Sequence, residues 1–441
     1  MAAGLIVAAP ASGSGKTAIT LALLALARRK GIAISSAKVG PDYIDPAFHA
    51  AATGRPCFNL DGWAMRPETL RAVLAETARD ADFVLIEGVM GLFDGAALGP
   101  GGATGSTADL AAALDLPVVL VMNAKGQGAT AGAVLEGLAG HRPDVRVAGV
   151  IFNRVGSGTH RAILAAAAEA AHIPVFGYLP LLPALALPER HLGLHQASEI
   201  ADLDRFLAAA ADAIAPHLDP TPLLGMATSI GASGDALPGL PPLGQRIAVA
   251  RDIAFAFAYP AQLEAWRRAG AELSFFSPLA DDAPGGAADA IFLPGGYPEL
   301  HAGRLSNSRR YQQGLRAAAD RGALIYGECG GYMALGETLT DADGIAHPMA
   351  GLLPVSTSFA SPRLHLGYRH ARLLDGASLG ARGAAFAGHE FHYATVAHEG
   401  GDAGLFAARD ARGRDLGSLG RRRGNVMGSF LHLIDRAHPD A

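Results

Sequence analysis

Two successive α/β domains are the fold this sequence predicts, and three observations predict it. At 441 residues the chain is too long for one hydrophobic core to organise. Short apolar runs alternate with alanine-rich helical stretches along both halves. Between the halves, from Asp219 to Gln245, residues such as Pro220, Pro222, Gly225, Gly231, Pro238, Gly239, Pro241 and Pro242 crowd a stretch with little periodicity. The boundaries follow from that break: a first domain over 1–220, a linker over 221–245 and a second domain over 246–441.

In the first half the expected strands are Leu5–Ala9, Ile32–Val39, Phe83–Glu87, Val118–Asn123, Val147–Phe152 and Val175–Tyr178. Helical patterns lie between most of them, at Lys16–Arg29, Pro67–Ala78, Thr107–Ala113 and Thr159–Ala171. Strand, helix, strand at this spacing predicts a parallel sheet with helices on both faces. After the break the alternation resumes through Ile247–Ala250, Tyr259–Ala269, Leu273–Phe276, Ala290–Leu293 and Ala323–Tyr326. Gly388–Tyr393 and Asn425–His432 read as further strands, the second ending on His432.

Composition narrows the function class. Half the residues are hydrophobic and 17% are charged, a well-buried globular balance rather than a disordered one. A net charge of -5 gives no global attraction to nucleic acid or to an anionic membrane. Cys57 and Cys329, the two cysteines, form neither a disulfide framework nor a metal-ligand spacing, which fits a reducing cytoplasm. The apolar start, Met1–Pro10, lacks a basic flank and runs into a glycine loop, so it reads as a strand rather than a signal peptide. No membrane span is expected, since runs such as Leu110–Ala124 are broken by Asp115 and Pro117.

The loop Ser12-Gly13-Ser14-Gly15-Lys16-Thr17 leaves a strand and opens a helix. Phosphate binding wants that arrangement, because glycines let backbone N–H groups wrap the phosphates and a helix N-terminus favours negative charge. Lys16 would neutralise the outer phosphates and the Thr17 hydroxyl would ligate Mg²⁺. Pro10 stands where the first glycine of such loops usually stands. Two clusters fall at expected strand ends, Lys38–Pro46 and Glu87–Gly95. Asp42, Asp45 and Glu87 there are candidates for the metal and for carboxylate activation, with turn chemistry the alternative for the aspartates. Asn153 and Arg154 follow another strand and are candidates to reach the base or ribose, the alternative being that either finishes the strand and meets solvent.

In the second half, Ala323–Tyr326 enters Gly327-Glu328-Cys329-Gly330-Gly331 and a helical run follows. This is the cysteine form of a nucleophile elbow, with Cys329 exposed on a strained turn at a helix N-terminus. Gly295 and Gly296, in Leu293–Glu299, offer N–H groups for an oxyanion hole together with Gly330. His432, His389 and His392 compete for the role of base, because triad partners are neighbours in space rather than in sequence. Cys57 lies outside any elbow.

Taken in order over nearly the full length, these segments resemble the corrinoid a,c-diamide synthases of cobalamin biosynthesis. Ala11–Thr17, Lys38–Pro46 and Glu87–Gly95 carry the likeness in the first half, and Gly295–Glu299, Gly327–Gly331, Gly388–Tyr393 and Gly428–His432 in the second. The resemblance implies a P-loop domain of the dethiobiotin-synthetase type followed by a class I, triad-type glutamine amidotransferase domain. It implies a cytoplasmic ligase that amidates the a- and c-acetates of hydrogenobyrinate or cobyrinate, with ATP and glutamine as co-substrates and Mg²⁺ as cofactor. It implies Cys329 as nucleophile and His432 as the residue that raises its nucleophilicity. The glutamate usually found two positions after that histidine is replaced by Ile434, so the site works as a dyad or is completed from elsewhere, Glu390 and Asp435 being candidates. The expected partner is a corrinoid small molecule, with neither nucleic acid nor membrane, and a homodimer is compatible with these features. Rival readings are a cobyric acid synthase, a nickel-sirohydrochlorin a,c-diamide synthase, or a regulatory P-loop ATPase with a non-catalytic amidotransferase-like domain.

Overall fold

The runs Leu5–Ala9 and Val84–Ile86 carry no polar alternation, the pattern of strands covered on both faces. In the computed structural model, which describes residues 2–96, 104–187, 189–190, 193–194, 196–231, 239–401 and 403–437, they lie in the middle of a parallel sheet. Its strands are β1 (Ala3–Ala8), β2 (Ile34–Val39), β3 (Phe58–Leu60), β4 (Phe83–Glu87), β5 (Val118–Asn123), β6 (Val147–Asn153) and β7 (Val175–Tyr178). They pair in the order β3-β2-β4-β1-β5-β6-β7. The chain winds one way from β1 and then crosses back to β5, so β1 sits where the winding reverses. That is where open α/β sheets form a ligand crevice at their strand ends. Helix α1 (Lys16–Arg29) starts there, and helix α2 (Asp45–Thr53) starts beyond the end of β2.

Leu5, Val7, Leu85, Val119, Val121 and Ile151 share a buried cluster with Ile19, Leu23 and Leu26 of α1. Each such side chain contributes roughly 1.5–3 kcal/mol over leaving it in water, so this contact fixes α1, and with it the loop that precedes α1. Strand β3, only three residues long, was not among the expected strands; so short a run gives no period to read. Of the stretch expected as linker, Pro220–Leu224 forms a short helix, with Leu223 and Leu224 in the same cluster. Thr228–Ser229 then adds to β1 antiparallel.

The chain divides into two compact units, one of Met1–Trp63, Leu70–Gly95 and Ala103–Asp235, the other of Ala64–Thr69, Ala96–Gly102 and Ala236–Ala441. In the second unit Glu272–Phe276, Arg246–Ala250, Ala290–Leu293, Leu324–Glu328 and Val426–Ser429 pair as consecutive parallel strands. Trp266 packs edge-on against Phe292 and donates its indole N–H to the Leu240 carbonyl at 3.2 Å. Leu240 and Leu243, also within the expected linker, are thus core residues of this unit.

Beyond Val426–Ser429 the sheet turns antiparallel, through Asp415–Arg423, Ala403–Asp410, His365–Leu373, Ala385–His392 and His432–Arg436. The expected strand Asn425–His432 is therefore two strands. Ser429 ends the first, with its hydroxyl accepting the Leu431 N–H at 3.2 Å, and His432 opens the second instead of closing the first. The break matters for chemistry. It carries the chain from a strand beside Leu324–Glu328 to the far edge of the antiparallel half, and His432 stands at the crossing.

Candidate active sites

The loop after β1 is tied down before any ligand arrives. Ser14 donates its hydroxyl to the Ala11 carbonyl at 2.8 Å, and Gly15 caps α1 at φ +89, a left-handed value that suits glycine. The Asn153 amide donates to the Ser14 carbonyl at 2.9 Å and lies close against Gly15, so it braces the loop. Arg154 has φ +60 and an exposed side chain.

Behind the loop lies a buried cluster of charges. Glu87 ends β4 with no solvent exposure, and its Oε1 accepts from Thr17 at 2.5 Å and from Lys38 at 2.8 Å, with the Lys16 ammonium at 3.5 Å. Its Oε2 meets His49 Nε2 at 2.7 Å. Lys38 also bonds Asp45 at 2.6 Å, and Lys16 donates to the Gly88 carbonyl at 2.5 Å. Burial alone would raise the Glu87 carboxyl, but Lys38, Lys16 and His49 hold it well below the usual carboxylate range. Burial and then the neighbouring Lys38 lower Lys16. Burial works against a charged His49, yet Cys57 and Glu87 outweigh it and lift the ring to about 10. Burial and then Asp45 push Asp42 up to about 7.

This donor set suits a hard cation. The Thr17 hydroxyl lies 2.5 Å from Glu87 and 3.5 Å from Asp45, and the Lys38 ammonium bridges the same two carboxylate oxygens, so an ion held there would displace Lys38 from them. Among the described residues no group of three or more His, Cys, Asp or Glu side chains forms a metal cage. An ion here would complete its shell from phosphate oxygens and water, which is the habit of magnesium. Asp42 Oδ1 accepts the Ile44 N–H at 2.8 Å while its carboxyl lies against Asp45 at the edge of the cluster; Asp94 closes a turn, on the Gly91 N–H at 2.9 Å.

The second site is built on the strand Leu324–Glu328. Cys329 follows it at φ +46, ψ −102, a backbone outlier for a residue with a Cβ, and the helix Gly330–Leu335 starts immediately after. Its own N–H donates to the Ser429 carbonyl at 2.8 Å, which locks the turn to the neighbouring strand. A methyl on Gly331 would strike the Leu293 carbonyl, so the helix can approach the sheet only with glycine there. Around the thiol stand the expected glycines. A Cβ on Gly295 would lie 3.3 Å from Cys329 Cβ and 3.2 Å from His432 Nε2, and one on Gly330 would lie 3.0 Å from the Gly296 nitrogen.

All three candidate histidines are in this region, and their positions separate them. His432 lies against Gly295, where an added Cβ would stand between its ring and Cys329 Cβ, and the Cys329 thiol is directed to the Phe391 carbonyl at 4.0 Å. His389 lies one strand over with its ring 5.3 Å from that of His432. His392 stacks between Phe430 and His365. Burial, then His389 and His392, holds His432 well below the usual imidazole range, and burial, then Glu299, pushes the Cys329 thiol up. Glu390 is engaged by Arg369 at 2.6 Å. Asp435 accepts from Arg66 at 3.0 Å and from Thr69 at 2.6 Å. Neither carboxylate is the neighbour of His432. Glu328 is, with Oε2 at 3.8 Å from His432 Nδ1.

Neither His49 nor Glu328 is among the residues that the sequence alone marks for a role. His49 stands four residues after Asp45 on α2, the spacing that puts two side chains on one helix face. Glu328 stands two residues after Tyr326, on the same face of a buried strand.

A loop that cradles phosphate on a P-loop sheet and a cysteine elbow on a second α/β unit together define a nucleotide-dependent glutamine amidotransferase. The CobQ/CobB/MinD/ParA nucleotide binding domain family matches residues 5–194, and the CobB/CobQ-like glutamine amidotransferase domain family matches residues 246–439. Hydrogenobyrinate a,c-diamide synthases of Sinorhizobium sp and of Rhizobium meliloti are each 54% identical to the chain, over 98% of it and 99% of their own length. That of Mesorhizobium japonicum is 50% identical over 99% of both. The chain belongs to the hydrogenobyrinate a,c-diamide synthase family.

Proposed function

We propose that this chain converts two acetate carboxylates of a corrin, the a and c positions, to primary amides using ATP and glutamine, with hydrogenobyrinate as the substrate. One observation carries the reading: a single chain holds a built phosphate cradle at Lys16–Thr17 and a strained Cys329 beside His432. The substrate follows from the full-length likeness to the named synthases.

A carboxylate resists amines because oxide is a poor leaving group. Transfer of the γ-phosphoryl of ATP to a carboxylate oxygen gives an acyl phosphate, which ammonia attacks with loss of phosphate. Gly13, Ser14 and Gly15 present backbone N–H groups to the triphosphate, and Lys16 leaves the Gly88 carbonyl to neutralise its outer oxygens. Mg²⁺ held by Thr17, Asp45 and Glu87 would offset charge on the phosphates. Asn153 keeps the cradle in shape through Ser14.

At the second site His432 takes the Cys329 proton and the thiolate attacks the glutamine amide carbon. The Gly296 and Gly330 N–H groups, beside Gly295, face the oxyanion that forms. The same proton, returned by His432, leaves with ammonia, and water then releases glutamate from the thioester.

The test is a substrate panel of hydrogenobyrinic acid, cobyrinic acid and nickel sirohydrochlorin, each with ATP, Mg²⁺ and glutamine, followed by chromatography and mass spectrometry. Hydrogenobyrinic acid is expected to give a diamide with one ADP per amide. Turnover of cobyrinic acid or the nickel compound alone would refute the substrate assignment, and consumption of ATP without any amide would refute the reaction.

A further inference from the structure

The base of the second site has a carboxylate neighbour, but not from its own strand. Position 434, where the usual glutamate would stand, is a buried isoleucine. Glu328 approaches His432 from the nucleophile strand, directly before Cys329, with side-chain exposures of 2% for Glu328 and 1% for His432. Its Oε1 accepts the Leu433 N–H at 3.1 Å, so the carboxyl is fastened to the backbone just after His432. Its Oε2 lies 3.8 Å from His432 Nδ1, while the opposite edge of the ring, Cε1 and Nε2, meets the place a Gly295 Cβ would take, a place 3.3 Å from Cys329 Cβ.

We propose that Glu328 is the positioning carboxylate of the glutamine site: it orients the His432 ring with Nε2 toward Cys329 and supplies the countercharge when that ring takes the thiol proton. The role deepens the glutaminase reading above and rests on it. The proton passes from Cys329 Sγ to His432 Nε2, one S–H bond breaking as one N–H bond forms, and the imidazolium is stabilised from its Nδ1 side. A gap of 3.8 Å is too long for a hydrogen bond, and contacts of this kind commonly shorten once substrate is bound. Asp435 and Glu390, the other acids near this strand, are held by Arg66 and Arg369 and are not free to take the part.

The surroundings give the role a pH signature. Tyr326 and the Leu433 N–H face the Glu328 carboxyl, and no ammonium or guanidinium is among the groups that set its proton affinity. Burial pushes it up to about 8. His432 is faced in addition by His389 and His392, both held down to about 3 by burial and hence neutral across the working range. Below pH 8 or so Glu328 is mostly neutral and gives no countercharge; above it, the ionised carboxylate favours the imidazolium. Glutamine-dependent turnover should therefore rise with pH through the Glu328 ionisation, while the ammonia-dependent reaction has no reason to report that group.

The experiment compares the full-length protein with Glu328→Gln, which keeps an acceptor for the Leu433 N–H, and with Glu328→Asp. Glutamine-dependent and ammonium-dependent amidation, and the rate of Cys329 alkylation by iodoacetamide, are measured from about pH 6 to about pH 10, roughly two units on either side of the Glu328 ionisation. Glu328→Gln is expected to lose glutamine kcat by about 10²-fold with little change in KM, to lose the rise near pH 8 in both turnover and alkylation, and to keep ammonium-dependent turnover. Glu328→Asp should retain a displaced pH rise. A Glu328→Gln protein with wild-type kcat and pH profile would overturn the proposal, as would equal loss of both activities in both variants, which marks a structural role. If the wild-type protein releases no glutamate from glutamine, the glutaminase reading itself fails and takes this proposal with it.

Discussion

His49 Nε2 lies 2.7 Å from Glu87 Oε2, and both side chains are sealed from solvent. The contact joins α2 to the end of β4 and leaves Glu87 Oε1 to Thr17 and Lys38, the groups nearest the phosphate cradle. A fixed Oε2 means a fixed Oε1. Removing the imidazole leaves a buried carboxylate one partner short, which costs about 3–5 kcal/mol in comparable sites. His49→Ala is therefore expected to lower the denaturant midpoint of the protein and to weaken both glutamine- and ammonia-dependent amidation. A variant with unchanged unfolding and unchanged rates would show that Glu87 is held well enough by the lysines alone.

Lys16 tests the cradle more directly. It sits at the first turn of α1 with its ammonium on the Gly88 carbonyl, a contact it exchanges for phosphate oxygens in the proposed reaction. Lys16→Ala is expected to lose about 10²–10³-fold in amidation, whether nitrogen comes from glutamine or from ammonium. Glutamine hydrolysis, assayed by glutamate release, is the comparison. Ammonium-dependent turnover that survives at saturating ATP would remove the loop from the phosphoryl transfer.

How much of this was legible before the structure depends on distance along the chain. Ser12–Thr17 and Gly327–Gly331 are local motifs, each complete within a few residues, and both could be read. Glu87 was singled out because it ends an apolar run. Its partners Lys38 and His49 come from other elements, and only the strand order β2-β4-β1 brings them to it. Glu328 is the opposite case. It lies inside the most informative segment of the second half, yet its place depends on the chain break at Phe430–Leu431 that swings His432 back toward it. Gly428-Ser429, inside the run Asn425–His432, is the sequence signal for such a break. Asn153, a candidate in the sequence to reach the nucleotide or simply to finish its strand, bonds the loop backbone from the end of β6.

Cys329→Ser separates the two half-reactions. The hydroxyl nearly matches the thiol in shape but is a far weaker nucleophile beside a neutral, buried imidazole. The variant is expected to lose glutamine-dependent amidation by about 10³-fold or more and to regain product when ammonium is supplied at alkaline pH. Retention of glutamine-dependent activity would mean that another residue attacks the amide. Loss of ammonium-dependent activity in a folded variant would contradict the division of labour.

Gly295→Ala probes the geometry of the same site without touching a reacting group. Its new methyl would fall against the His432 ring, meeting Cε1 and lying 3.2 Å from Nε2, while Cys329 Cβ stands 3.3 Å away on the other side. Neither neighbour can retreat. Cys329 is held by its N–H on Ser429, and the backbone after His432 is held on Glu328. The ring must therefore rotate or shift, and a displacement of about 1 Å between base and nucleophile is enough to cost about 10²-fold in rate. Glutamine-dependent kcat is expected to fall by that order, iodoacetamide alkylation of Cys329 to slow with it, and ammonium-dependent amidation to stay near wild type. Gly295→Ala with unchanged glutamine kcat would show that the base reaching Cys329 is not His432, and would return His389 and His392 to contention.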